Sequence, residues 1–231
     1  MKRTLRISAG VLGGLALLAG GTWVLSWALA THEPTYNGQS ASYWSEQLTN
    51  HDAAVSNRAA AVVCSQIIPY LTNQMFSDTN NSKFRMAVVD RLNLLPGIQV
   101  VYIEADTRRA RATYDLGCFG PTAKSAAPAL IEALKRKDNV LCSPAATALG
   151  KMQADPEAAV PALIGCLLDR RGRGRPEVVD SLGEYGPRAK AAVPALTKLL
   201  RDRSSKELAK AVPRALKGID PQAAAGASVA K

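Results

Sequence analysis

Four arginines, Arg170, Arg171, Arg173 and Arg175, crowd the stretch DRRGRGRPE at positions 169–177. A guanidinium is a planar fork of donors that grips carboxylate or phosphate oxygens two at a time. The chemistry on offer is therefore anion binding: an acidic protein surface, phospholipid headgroups or nucleic-acid phosphates. Two further basic segments lie at similar spacing on either side. They are KRKDN, with Lys135, Arg136 and Lys137, and RDRSS, with Arg201 and Arg203. Brought to one edge of a fold, these residues form a positive strip. A solvated edge without a ligand is the bland reading of the same residues. Glycines within the loop argue against a preformed pocket, and no aromatic residues interleave to stack bases.

Residue types suited to catalysis are sparse. Only His32 and His51 occur, both in the N-terminal third, so no histidine can activate a serine or cysteine in the C-terminal half. There is no G-x-S-x-G, no phosphate-cradling G-x-x-x-x-G-K and no G-x-G-x-x-G. Asp115, Asp180 and Glu184 could line one helix face, where such carboxylates serve mostly as solvated or capping groups. The four cysteines, Cys64, Cys118, Cys142 and Cys166, lack the C-x-x-C spacing of a metal or redox site. Cys118 and Cys142 are predicted at opposite ends of stacked helices, about 15 Å apart and too far to bridge. Cys142 with Cys166 is geometrically open, but small buried hydrophobes are the expected role of all four. No catalytic residue, cofactor or metal is expected.

What positions the arginines is a repeat. The tripeptide PAL recurs at Pro128, Pro161 and Pro194, at intervals of 33 residues, and a Leu-Gly pair stands twelve residues before each: Leu116-Gly117, Leu149-Gly150 and Leu182-Gly183. A further unit begins at Leu216, one residue out of phase. Each unit reads as two antiparallel helices. The first is expected to end at Leu-Gly, with the glycine as a left-handed cap. A turn with Pro121, Pro156 or Pro187 follows, and the second helix starts at the PAL proline, where no hydrogen-bonded N–H is needed. Leu130, Ile131 and Leu134, then Leu163, Leu167 and Leu168, then Leu196, Leu199 and Leu200, form stripes that only stacked neighbours can cover. Aromatic residues make up 5% of the chain against 47% hydrophobic, which suits close-packed Ala- and Leu-rich helices better than sheets. The expected fold is all-α, a right-handed α-solenoid of antiparallel helix pairs.

The units resemble HEAT repeats, in particular the short bacterial HEAT-like type with the pattern G-P-x-A-x-x-A-V-P-A-L. Gly186-Pro187, Ala189 and Ala192-Val193-Pro194-Ala195-Leu196 match in full. Gly120-Pro121, Ala123 and Ala127-Pro128-Ala129-Leu130 match with Ala for Val, and the middle unit departs, with Asp155-Pro156 displaced along its turn. The resemblance spans residues 105–219 and implies the fold and protein–protein binding. Solenoids also host nucleic-acid readers and lyases, so it implies no chemistry by itself.

Ahead of the repeats, residues 42–104 read as irregular helices and degenerate repeats, with NRAAAVVCSQIIPYL and FRMAVVDRLNLLP helical and NQMFSDTNNS a loop between them. Residues 31–41 read as a linker, and residues 220–231 as a tail. Lys2, Arg3 and Arg6 precede an uncharged run from Ile7 to Ala30, about 36 Å long as a helix and enough for a bilayer core of about 30 Å. That length favours a retained signal anchor; Ala28-Leu29-Ala30 leaves cleavage as a signal peptide open. Trp23 and Trp27 fit an interfacial belt, and the positive-inside bias puts everything after Thr31 on the periplasmic side. The net charge is +10, and its excess lies in the C-terminal half. The function expected is a membrane-anchored, non-enzymatic, extracytoplasmic module that binds a protein partner, held to the membrane through residues 7–30. The alternatives are a basic solenoid binding nucleic acid or another polyanion, and a HEAT-like phycobilin lyase.

Overall fold

The computed structural model describes residues 35–36, 38–77, 81, 83–94, 103–136, 138–169, 175–202 and 206–229. The predicted anchor, residues 1–30, lies outside them, as does most of GIQVVYIEAD. No helix among the described residues is long and apolar enough to cross a membrane. The chain divides into two compact units, one of them formed by Pro34–Thr79 with Ala105–Lys231. Residues 80–104 fall in the other, whose described helix is Lys83–Asn93.

The protein is mostly helical, with one small departure from the all-α expectation. Part of the predicted linker forms an antiparallel hairpin, β1 (Thr35–Tyr36) and β2 (Gln39–Ser40), pairing Thr35 with Ser40 and Tyr36 with Gln39. Gly38 turns it with φ +78°, a left-handed value that glycine adopts without penalty. Ser40 then caps α1 (Ala41–Gln47), its hydroxyl accepting from the Tyr43 N–H, and buried Trp44 donates its indole N–H to the Tyr36 carbonyl at 3.0 Å. Asp52 caps α2 (Ala53–Val62), which continues through a π-helical turn, Val63–Ile67, into α3 (Ile68–Ser77). Pro69 supplies a reason for the wide turn. It has no N–H for the carbonyl of Ser65 and would crowd it in regular α geometry. The helix runs on through Asn73 to Ser77, so half of the predicted NQMFSDTNNS loop is helical. In the other unit, α4 is Lys83–Asn93.

The repeat helices follow: α5 (Ala105–Cys118), α6 (Ala127–Lys135), α7 (Cys142–Met152), α8 (Pro156–Leu168), α9 (Arg175–Tyr185), α10 (Val193–Asp202), α11 (Lys206–Ile219) and α12 (Pro221–Val229). First helices pack in the order α3, α5, α7, α9, α11, and second helices in the order α6, α8, α10. The core between the rows is built from the predicted stripes. Leu116, Leu149, Leu182 and Leu216 are fully buried, with Leu130, Leu163 and Leu196 facing them from the second helices. Leu168 is the exception to its stripe, 52% exposed.

The Leu-Gly glycines are not helix caps. Gly117, Gly150 and Gly183 lie within α5, α7 and α9, where they let successive first helices touch. A Cβ at Gly117 would stand 2.9 Å from the Ala148 Cα, one at Gly150 3.0 Å from the Ser181 Cα, and one at Gly183 3.2 Å from the Ala215 Cα. The left-handed position falls instead on the glycine of Gly-Pro, Gly120 at φ +52° and Gly186 at φ +58°. Gly117→Ala should therefore lower stability by about 1–3 kcal/mol, because backbone atoms rather than a flexible tip must yield. The control is Gly165→Ala in α8, where a Cβ meets nothing within 4 Å; relief of the helix-interior glycine should there add up to about 1 kcal/mol. Paired urea melts decide, and equal shifts for the two would refute the packing role.

The prolines behave as predicted in two repeats of three. Pro128 and Pro194 are each the second residue of their helix, α6 and α10, after a 3-10 turn (Gly120–Ala126 and Gly186–Ala192). Pro161 is instead inside α8. Here no glycine precedes the turn proline. Gln153 and Asp155 take the left-handed positions at φ +48° and +41°, and the Asp155 side chain caps the helix at Ala158 N, so α8 starts five residues earlier, at Pro156.

Candidate binding surface

Of the predicted positive strip, Lys135 and Arg136 are described in full. Lys135 ends α6 and is exposed. Arg136 is engaged within the chain: its Nε donates to Glu132 Oε1 at 2.8 Å, and its guanidinium lies 4.9 Å from the centre of the Phe76 ring. Arg175 opens α9 and Arg201 lies in the last turn of α10, their side chains being outside the description. Lys137, Arg170, Arg171, Arg173 and Arg203 lie outside the described residues.

The cysteines depart from expectation. Cys142, the first residue of α7, is disulfide-bonded to Cys166 in the last turn of α8, with their Cα atoms 7.2 Å apart. Cys64 and Cys118 are free and exposed rather than buried. The sequence left the Cys142–Cys166 pairing open because it could not fix the α7–α8 register; antiparallel packing of the two helices brings the start of one to the end of the other. The bridge also fixes directions. Lys135 leads through a short connection to Cys142, so Lys135, Cys142 and Cys166 share one end of the array. Glu157, in the first turn of α8, lies at the opposite end.

Between these ends runs an open groove of about 350 Å³, lined by Leu134 and Lys135 of α6 and by Glu157, Ala158, Pro161, Ala162, Gly165 and Cys166 of α8. Its walls are apolar, with one cation and one carboxylate at its ends, which suits the side chains of another macromolecule better than a polar metabolite.

The carboxylates singled out in the sequence are held by neighbours. Asp180 pairs with Arg214 of α11. Burial raises the Glu184 carboxyl above its ordinary value, Lys151 opposing and Asp180 adding to the effect. Asp115 lies half-buried two repeats away on α5. The structure thus does not assemble the three into an acid/base pair. Tyr185 is buried and donates to the Ala154 carbonyl at 2.7 Å, and Gln153 donates to the Glu184 carbonyl at 2.9 Å while accepting from Arg188 at 2.7 Å. Burial, against a smaller lowering by Arg188, pushes the Tyr185 phenol up to about 12. This cluster holds the left-handed turn of the middle repeat in place.

Sequence reasoning missed a part-buried polar junction. Arg109 of α5, its side chain 11% exposed, donates Nε–H to the Met75 carbonyl of α3 at 3.0 Å, and pairs with Asp106 and with Asp138 in the α6–α7 connection. It had counted only as one more basic residue.

No family model matches the chain, and no curated protein does. Among solved structures it is similar to the complex of CpcE and CpcF of phycocyanin lyase from a Nostoc species. The identity is 20%, with 83% of this chain and 70% of that chain covered, at a TM-score of 0.49. The expectation of a non-enzymatic module, with no enzyme activity, is corrected by that finding: the protein it resembles is a lyase, and the scaffold reading is withdrawn. At this identity the likeness does not name a reaction for the present chain.

Proposed function

We propose that this chain is a HEAT-like α-solenoid of lyase type, working as one member of a protein complex, and that its basic edge holds the protein on which the complex acts. The carrying observation is the packing of α6, α8 and α10 in one row. Equivalent helix ends in such a row share an edge, and the three basic segments directly follow or end these helices. By sequence, Arg170, Arg171, Arg173 and Arg175 follow α8 and Arg203 follows Arg201, so that with Lys135 they would give an edge suited to an acidic protein surface. The lyase part comes from the resemblance of the repeat units and from the name of the phycocyanin lyase complex.

The disulfide supports placing the repeats in an oxidising compartment, as expected of a chain exported behind residues 7–30. Thiol alkylation in freshly opened cells, carried out in denaturant so that buried thiols react, would count two reactive cysteines if the bridge is formed there, and four if it is not.

The test of function isolates the full chain together with the proteins bound to it, adds a phycobilin and phycocyanin apoprotein, and measures covalently attached pigment on a denaturing gel. Attachment above the chain-free control is expected, with a severalfold loss when the four loop arginines are changed to serine. No attachment removes the lyase reading. Attachment indifferent to the arginines removes the role of the edge.

A further inference from the structure

We propose that the groove along α8 is a contact between two copies of this chain related by a two-fold axis. The inference is independent of the lyase reading. It starts from α8 itself, PEAAVPALIGCLL, whose single charge is Glu157. A helix apolar on every side belongs in an interior, yet Pro161 and Gly165 are exposed and Leu168 stands half in solvent. The neighbouring repeats treat this face differently. Gly165 stands four residues after its PAL proline; the same position holds Glu132 in α6 and Lys198 in α10, both exposed. A Cβ at Gly165 meets nothing within the chain, so internal packing does not call for a glycine that a helix interior disfavours. What the glycine leaves is room for something outside the chain.

Charge identifies the occupant. Lys135 and Glu157 stand at opposite ends of the groove, and neither takes part in an ion pair among the described residues. A two-fold axis through the groove's middle, at Pro161 and Ala162, exchanges its ends. Lys135 of each copy then faces Glu157 of the partner subunit, and Ala158, Ala162 and Gly165 let the two α8 backbones approach. An isologous contact demands this self-complementarity. A groove one helix wide buries little area, so the dimer is concentration-dependent.

Sedimentation velocity of the full chain in a mild detergent, over a roughly hundredfold concentration range, tests the proposal. The mass should rise from monomer toward dimer. Lys135→Glu and Glu157→Lys should each weaken association at least about tenfold by setting like charges together, and the double reversal should restore it. Gly165→Lys, which copies the residue type at position 198, should abolish association without lowering the unfolding temperature. A monomer throughout overturns the proposal, as does a dimer insensitive to all four variants, whose contact would lie elsewhere. Failure of pigment attachment in the assay above would leave this result untouched.

Discussion

Reduction of the Cys142–Cys166 bridge is expected to lower the stability of the helical array by about 3 kcal/mol. The bridge closes a loop with a sequence separation of 24 residues, and the open chain regains the freedom that the closed loop denies it when unfolded. Native contacts contribute to the loss as well. Both cysteines are buried, and Cys166 joins the wall of the groove while tying the end of α8 to the start of α7. For a chain of this size the loss corresponds to roughly 6–12 °C in the unfolding midpoint. Scanning calorimetry with and without reductant reads it directly, and Cys142→Ala with Cys166→Ala should reproduce the shift without any reductant. A midpoint that stays put while alkylation reports both thiols free would sink the prediction. The exposed Cys64 and Cys118 provide the internal control, since their replacement by serine should shift the midpoint by little.

Periodicity is the part of this structure that a sequence states outright. PAL and Leu-Gly at a fixed interval gave the helix pairs, their stacking and most of the core, because a stripe of Leu at helical spacing has few ways to be covered. What the same residues do locally was less legible. Leu-Gly looks like a cap, because glycine at a helix end so often is one. Only the packed row places Ala148, Ser181 and Ala215 against the three glycines and makes them contact residues. Pro161 looked like its two counterparts, yet with Asp155 available to cap Pro156 the helix could begin earlier and carry the later proline inside. The disulfide needed the register of α7 against α8, a tertiary quantity. The arginine strip was legible as charge alone: which guanidinium is spent on a neighbour, as in Arg136, depends on a Glu132 and a Phe76 that charge counting does not weigh.

Arg109 carries that point to its largest consequence, since a residue read as one of many basic groups joins three segments. Its Nε–H satisfies the Met75 carbonyl near the end of α3, an acceptor that a helix terminus leaves without an intrahelical donor. Its other nitrogens meet Asp106 and Asp138, and Asp138 in turn accepts from the N–H groups of Val140 and Leu141 at the entrance to α7. Arg109→Met keeps the apolar stem but leaves the Asp138 carboxylate, 24% exposed, without its cation. Partial exposure lets water take up some of the loss, so the expected destabilisation is about 2–3 kcal/mol rather than the full value for a buried pair. Arg109→Lys should fall between the two, because an ammonium keeps the charge but cannot span a carbonyl and two carboxylates with one rigid fork. The deciding measurement is a double-mutant cycle with Asp138→Asn in urea. A coupling above about 1 kcal/mol is expected for groups in direct contact. Additive losses would mean that Arg109 acts through packing alone, and that the connection before α7 is held by Asp138 without it.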